Sequence, residues 1–330
     1  MNDSTDLKIG LALGSGSSRG WAHIAIIKEL ADHGVVPQVV AGTSVGAMVG
    51  GSWLTGRLDD LEEWASRVTK FQTARFLDIN ARFTGFVDLA RLDSFLSEFV
   101  ADDEELIENF EPGYGAVTTE LETARELWLT EGSVKNAVLA SMSLPGLFPA
   151  CRYDGKWLVD GGLVNPVPVS VCRALGANFI IAVNLNGDIV GKHLDTTRRR
   201  REQPMGLAKR LTGLTREYTN SLFTNDEESV DAEEDPAPVE EEVPAEAEQK
   251  PENDDRVPGL INSVASAVNI TQDRITRSRM AGDPPDILLV PKLGHIGLLE
   301  LYRAGEAMEE GRQCVHRMLP EIERLLELSD

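Results

Sequence analysis

The stretch KIGLALGSGSSRGWAHIAIIKEL, residues 8–30, sets the architecture of the chain. It opens with a short apolar run over 8–13, passes through a loop of glycine and serine, and continues with apolar residues at three-residue spacing from Trp21 to Leu30. The run predicts a buried strand, and the spacing predicts a helix with one apolar face. A strand, a glycine-rich loop and a helix in this order form the first part of a parallel β–α–β unit.

The pattern repeats at once, with a helix stop at Gly34, a strand over Val36–Ala41, a tight turn around Ser44 and a helix over Val45–Thr55. Two such units predict a mainly parallel sheet covered by helices. An Asp-Gly pair within residues 153–156 predicts a hairpin turn. Further strands are expected over 114–119, 127–130, 178–183 and 286–290, and helices over 89–100, 134–141, 167–175, 260–280 and 300–328.

The charge of the chain is concentrated in one segment. Of the net charge of −22, a net of −14 falls between Thr224 and Asp255, and the rest of the chain carries an ordinary −8. This acidity excludes nucleic acid as a partner, because phosphates require clustered Lys and Arg. The sequence also has no paired cysteine spacing, no leader-like start and no apolar run of about 18–20 residues, so we expect a cytoplasmic protein. Peripheral contact with the inner membrane surface stays open.

The acidic segment belongs to an insertion over residues 188–257 that begins with a basic cluster, Arg198–Arg201. Its acidic part is rich in Glu, Pro and Ala and cannot bury enough apolar surface to order itself. We therefore predict one domain, formed by residues 8–187 and 258–328, interrupted by a largely disordered insertion. The basic part is expected to pair with the acidic tract or to stay solvated; contact with an anionic membrane, regulated by the acidic tract, is the alternative.

The motif Gly42-Thr43-Ser44-Val45-Gly46 is a G-x-S-x-G between a predicted strand and a predicted helix. Such a turn exposes the serine hydroxyl at the carboxyl end of the sheet and needs small neighbours two positions away on each side. The motif therefore predicts that Ser44 is a nucleophile. The alternative is a glycine-rich turn with an incidental serine.

A nucleophilic serine needs a base, and both a histidine and a carboxylate are candidates. His295, in a Gly-His-Ile-Gly loop, is the histidine placed as a late triad member would be, whereas His23 suits an architectural role near the site. The carboxylate candidate is Asp160, at the end of a predicted strand and followed by Gly161 and Gly162, which allow close backbone approach. An Asp before Gly is also common in plain turns.

The loop after the first strand contains six consecutive candidates for an oxyanion hole. A dinucleotide fingerprint is excluded, because G-x-G-x-x-G would need glycine at position 19, where Arg stands. Small residues at a helix start instead let backbone N–H groups converge on a developing negative charge. The candidates are Gly14, Ser15, Gly16, Ser17, Ser18 and Arg19.

These three pieces, in this order and spacing, resemble the patatin-like phospholipase family, most closely its bacterial branch related to neuropathy target esterase. Supporting similarities lie at residues 21–24, 141–145, 165–168 and 281–286. The resemblance implies a three-layer α/β/α sandwich and a Ser44–Asp160 dyad. It also implies an oxyanion hole near Gly16 and Ser17, and fatty-acyl ester substrates such as phospholipids or lysophospholipids. No metal or other cofactor is implied.

One departure from the resemblance concerns Ser17, where family members usually carry glycine. If the position needs a positive φ, serine is strained there and activity suffers. This departure keeps a second hypothesis open, a catalytically weak or inactive adaptor with the same fold. A hydrolase of soluble short esters or thioesters is the third, and the oligomeric state stays undetermined.

Overall fold

A computed structural model of the chain describes residues 7–76, 89–189 and 260–327. The strands are β1 Ile9–Leu13, β2 Val39–Thr43, β3 Gly113–Glu120, β4 Glu126–Leu129, β5 Cys151–Tyr153, β6 Lys156–Asp160, β7 Phe179–Val183 and β8 Ile287–Leu289. The helices are α1 Ala22–Asp32, α2 Val45–Leu54, α3 Leu58–Arg67, α4 Lys70–Phe76, α5 Leu89–Phe99, α6 Val134–Met142, α7 Val169–Ala174, α8 Leu260–Gly282 and α9 Ala304–Glu327. Short 3-10 turns include Ser17–Trp21, Gly161–Leu163 and Leu301–Arg303.

These strands form one mixed sheet in the order β5-β6-β3-β2-β1-β7-β8, with β4 paired to β3. The pairs on either side of β1, from β3 through to β8, are parallel, and the hairpin strands β4, β5 and β6 are antiparallel. Because β2 follows β1 on one side and β7 lies on the other, the chain reverses its direction of travel across the sheet at β1. In open α/β sheets, ligands bind at the carboxyl ends of strands beside such a point.

Helices cover both faces of the sheet, as the alternation of side chains along β1 shows. Leu11 and Leu13 join an apolar cluster with α1, α2, α5 and α9, whereas Ala12 joins a second cluster with α7 on the opposite face. All five residues of β1 are buried, which explains why the strand is a continuous apolar run rather than an alternating one. The predicted three-layer α/β/α architecture is confirmed.

The predicted elements in the described segments are present, with shifted ends. The last helix begins at Ala304 rather than at residue 300, after the 3-10 turn Leu301–Arg303, and β2 begins at Val39 rather than Val36. Pro37 has no N–H to donate to a neighbouring strand, and Gln38 uses its side chain to accept from the Ile9 N–H at 2.7 Å. The predicted hairpin turn is present, with positive φ at Asp154 and Gly155.

The described segments contain no helix that is long and apolar enough to cross a membrane. The predicted insertion lies outside the described residues from position 190 to its end, including its basic cluster and its acidic tract.

Candidate active site

Ser44 lies in a strained turn between β2 and α2, with φ 58° and ψ −122°. A non-glycine residue adopts such a positive φ only when the surrounding structure imposes it. Here the surroundings are tight: a Cβ on Gly46 would lie 2.1 Å from the Leu13 carbonyl oxygen, and one on Gly42 would lie 2.4 Å from the Ala47 backbone. The two glycines therefore let the turn close against β1 and α2, and the closed turn leaves the Ser44 side chain partly exposed.

The register of the sheet brings Asp160 to the same edge as Ser44. Thr43 pairs with Val117 of β3, and the next residue of β3, Thr118, pairs with Asp160. After β6 the chain turns across β3, so closely that a Cβ on Gly161 would lie 2.2 Å from the Val117 carbonyl oxygen. Glycine at 161 thus permits the crossing that carries Asp160 toward the serine.

The two side chains are in direct contact. The Ser44 hydroxyl donates to Asp160 Oδ2 at 2.6 Å, and the Gly162 N–H donates to Asp160 Oδ1 at 2.6 Å. Burial raises the pKa of Asp160 to about 6, although both hydrogen bonds act in the opposite direction. The carboxylate is therefore ionised at neutral pH and still basic enough to accept a proton.

Two amides of the glycine-rich loop stay free to face a ligand. The N–H groups of Gly14, Ser15, Ser18 and Arg19 all donate to backbone carbonyls. Within the described part of the chain, the Gly16 and Ser17 N–H groups have no such acceptor, and both residues line the same pocket as Ser44 and Asp160. These two are the amides available to an oxyanion.

Two side chains of α8 hold the glycine-rich loop. The buried Arg19 guanidinium donates to the Gly16 carbonyl at 3.1 Å and to Asn269 Oδ1 at 3.0 Å. The Ser15 hydroxyl donates to Gln272 Oε1 at 2.9 Å. We call these four side chains the loop–helix contact. Arg19 is only 2% exposed, and burial lowers its pKa to about 10, so it anchors the loop from inside rather than facing a ligand.

His23 supports the same loop and is not available as a base. Its ring Nε2 donates to the Gly14 carbonyl at 2.8 Å, and the ring is fully buried. Burial lowers the pKa of His23 to about 4, so the ring is neutral at physiological pH. This geometry agrees with an architectural role.

His295, the triad candidate among the histidines, pairs with Glu306 on the surface. It does not line the pocket that holds Ser44. Within the described residues, Asp160 is the group that contacts the serine hydroxyl.

Ser17 has a φ of 51°, which is the positive value that is unfavourable for serine. Its hydroxyl donates to the Leu298 carbonyl at 2.6 Å, and the Ser18 hydroxyl donates to the same oxygen at 2.7 Å. A strained non-glycine residue costs on the order of 1–3 kcal/mol, and one hydrogen bond returns about 1 kcal/mol. Serine at 17 therefore carries some strain but also gains an anchor that glycine would lack.

The pocket around the dyad is mostly apolar and encloses about 840 Å³ of empty space, counting the part open to solvent. Its polar residues are Ser15, Ser17, Ser44, Asp160 and Gln272. Its apolar wall consists of Trp21, Val45, Met48, Trp64, Leu92, Phe95, Met142, Leu144, Leu147, Phe148, Val268, Leu298, Leu299 and Leu301. Apart from the dyad and its few polar neighbours, the lining is therefore apolar.

Sequence reasoning missed several residues that shape the site. The Ser141 hydroxyl accepts from the Ser44 N–H at 2.8 Å, and the glycine-rich loop is held by Asn269, Gln272 and Leu298, which follow their partners by 250, 257 and 281 residues. Ser141 lies in one of the stretches that carry the resemblance, and this was its only signal. The other three are ordinary residues of a helix and a loop, and no local pattern marks them.

Comparison with known proteins identifies the family of the chain. Residues 11–173 match the family model described as patatin-like phospholipase. An uncharacterized NTE family protein of Mycobacterium tuberculosis is 30% identical over 345 residues, an alignment that covers 97% of this chain and 93% of that protein.

Two larger eukaryotic proteins share part of the chain. The neuropathy target esterase sws of Drosophila melanogaster is 32% identical over 188 residues, which cover 55% of this chain and 13% of that protein. The lysophospholipase NTE1 of Yarrowia lipolytica is 35% identical over 211 residues, 62% of this chain and 14% of that protein. By its match to the family model and its near full-length mycobacterial relative, the chain belongs to the patatin-like phospholipase family, among the NTE family proteins.

Proposed function

We propose that this protein hydrolyses fatty-acyl esters of phospholipids or lysophospholipids, with Ser44 as nucleophile and Asp160 as the general base. The observation that carries the proposal is the 2.6 Å hydrogen bond from the Ser44 hydroxyl to Asp160 inside an apolar pocket. Family membership and a relative named as a lysophospholipase support the choice of lipid esters.

In the first half of the reaction, Ser44 Oγ attacks the acyl carbonyl carbon while its proton passes to Asp160 Oδ2. The carbonyl oxygen becomes an oxyanion, stabilised by the N–H groups of Gly16 and Ser17. The intermediate then breaks its bond to the alcohol oxygen, which takes the proton from Asp160 and leaves. An acyl group remains on Ser44.

In the second half, Asp160 removes a proton from water as the water oxygen attacks the acyl carbon. A second oxyanion forms at the same amides and collapses, which returns the proton to Ser44 Oγ and releases the fatty acid. The positive end of the α2 dipole, which begins at Val45 beside the nucleophile, adds to the stabilisation of both intermediates.

The lining of the pocket argues for a long acyl chain. A soluble short ester would leave most of the apolar wall uncovered, whereas each methylene buried there contributes about 0.8 kcal/mol. We therefore expect kcat/KM to rise from acetyl to medium and long acyl chains in a series of p-nitrophenyl esters. A preference for acetyl would favour the hydrolase of soluble esters instead.

The dyad is tested by comparing wild type with Ser44→Ala and Asp160→Asn on p-nitrophenyl esters and on lysophospholipid micelles. Two exposed residues of α3 provide matched controls, Ser66→Ala and Asp60→Asn. We expect losses of about 10⁴-fold or more in kcat at the dyad and none in the controls. Full activity in Ser44→Ala would exclude the mechanism, and a folded wild type inactive on every ester would favour the adaptor.

A further inference from the structure

A cluster of metal-ligating side chains lies on the surface where α1 and α9 pack together. Glu29 lies in the last turn of α1, His33 follows four residues later at the C-cap of that helix, and His316 reaches the same point from α9. Glu29 Oε1 lies 3.3 Å from His33 Nε2 and 2.6 Å from His316 Nε2. One ligand atom from each of the three residues falls within 4.8 Å of the other two.

The backbones that carry these ligands are held close together. A Cβ on Gly311 would lie 2.6 Å from the Ala22 carbonyl oxygen, so α1 and α9 touch about two turns before Glu29 on α1 and between one and two turns before His316 on α9. Leu30 of α1 and Val315 of α9, adjacent to the ligands in sequence, are buried in the core. The three ligands therefore project from a rigid base and need only side-chain adjustment to converge.

The ligand types define the class of ion. Two imidazole nitrogens and one carboxylate oxygen suit zinc and its neighbours in the transition series, whereas calcium and magnesium prefer oxygen ligands alone. His33 caps the C-terminus of α1, where the helix dipole favours positive charge. The His316 side chain is 59% exposed, which leaves room for water at a fourth coordination position.

We propose that Glu29, His33 and His316 form a surface binding site for one divalent transition-metal ion of the zinc class, joining α1 to α9. The site lies apart from the Ser44–Asp160 dyad, whose chemistry does not use it, so the proposal stands independently of the proposed function. A bound ion would crosslink the helix that follows the glycine-rich loop to the last described helix.

The alternative is a hydrogen-bonded group in which Glu29 accepts from both rings and no ion binds. The chain contains a matched control for this reading. His295 pairs with Glu306 on the surface and is 44% exposed, but among the described residues no third His, Cys, Asp or Glu completes a metal-binding group with this pair. One histidine and one glutamate provide hydrogen bonding without a three-ligand site.

The test is titration of the untagged full-length protein with Zn²⁺ by calorimetry, and with Co²⁺ by visible absorption. Co²⁺ bound through imidazole at low coordination number absorbs far more strongly than Co²⁺ bound to acidic chain segments. We expect one equivalent of Zn²⁺, an affinity reduced at least about tenfold in His33→Ala, His316→Ala and Glu29→Gln, and no reduction in His295→Ala.

A second measurement separates this site from loss of folding. Saturating Zn²⁺ should raise the Tm of wild type and of His295→Ala, and should leave the Tm of His316→Ala unchanged, with equal far-UV circular dichroism in all three. No stoichiometric binding by wild type would overturn the proposal. Binding that survives in all three ligand variants, or that disappears in His295→Ala, would overturn it as well.

Discussion

Replacing Asp160 with asparagine should abolish the proposed activity and yet stabilise the folded protein at neutral pH. Asparagine keeps the shape of the side chain, its Oδ1 still accepts from the Gly162 N–H, and its amide can donate to the Ser44 hydroxyl. What the substitution removes is a carboxylate that is 1% exposed and whose pKa is raised by burial from 3.8 to about 6. A buried charge with only two hydrogen bonds destabilises the fold that contains it.

The sign and size of the effect follow from the pKa of Asp160. Because its folded value lies above its ordinary value, protonation favours the folded state. The stabilisation is complete below pH 3.8 and is lost as pH rises through about 6. The pKa of Asp160 is higher by about two in the folded state than in the unfolded state. This difference corresponds to about 3 kcal/mol in unfolding free energy, or roughly 6–12 °C in Tm for a domain of this size. Asparagine should therefore gain about 3 kcal/mol at pH 8 and almost nothing near pH 4.

The assay is denaturant unfolding of wild type and Asp160→Asn at several pH values between 4 and 8. His23 changes stability in the opposite direction, since burial lowers its pKa to about 4 and the fold loses stability as pH falls from 6.5. That contribution is present in both proteins and cancels in their difference. A gain that does not depend on pH, or a loss at pH 8, would refute the reasoning, and the exposed Asp60→Asn should show neither.

Three further predictions concern activity and packing. The kcat/KM of wild type should fall on the acid side with an apparent pKa near 6, as protonation of Asp160 removes the base, and a flat profile down to pH 5 would contradict that role. Gly161→Ala should lower the unfolding free energy by at least about 2 kcal/mol, because the added Cβ would collide with the Val117 carbonyl oxygen. The control is Gly305→Ala on α9, which should be neutral or stabilising because a Cβ there meets open space. Gln272→Leu removes the acceptor of the Ser15 hydroxyl and should lower kcat by about 10–100-fold, with circular dichroism unchanged. Full activity in this variant would show that the glycine-rich loop keeps its geometry without that hydrogen bond to α8.

The parallel part of the fold could be predicted from the sequence because its signals are local. The apolar run of β1, the helical spacing after it and the G-x-S-x-G turn each report a structure formed by neighbouring residues. The end of β2 nearest Pro37 was less predictable, because the side chain of Gln38 decides where pairing with β1 begins.

The site was predictable to the extent that its residues have motifs. Ser44 and Asp160 each lie in a short pattern with a geometric reason, and the register that joins them passes through β3, whose pairing no local pattern specifies. Asn269 and Gln272 have no motif, since a polar residue on a helix becomes informative only when its partner is known. The sequence could not predict that Ser17 has a positive φ, because serine itself does not indicate a left-handed conformation. It indicated only that a positive φ at this position would strain a serine.

The loop–helix contact has a consequence for protein synthesis. Arg19 needs Asn269, which is made 250 residues later, and at about 5–20 residues per second this delay is roughly 10–50 s. During that interval the glycine-rich loop has no polar partner from α8 and cannot bury the guanidinium without a large cost. A nascent chain that already carries both Ser44 and Asp160 should therefore stay inactive on the ribosome, and acyl hydrolysis should begin only after α8 has emerged and docked.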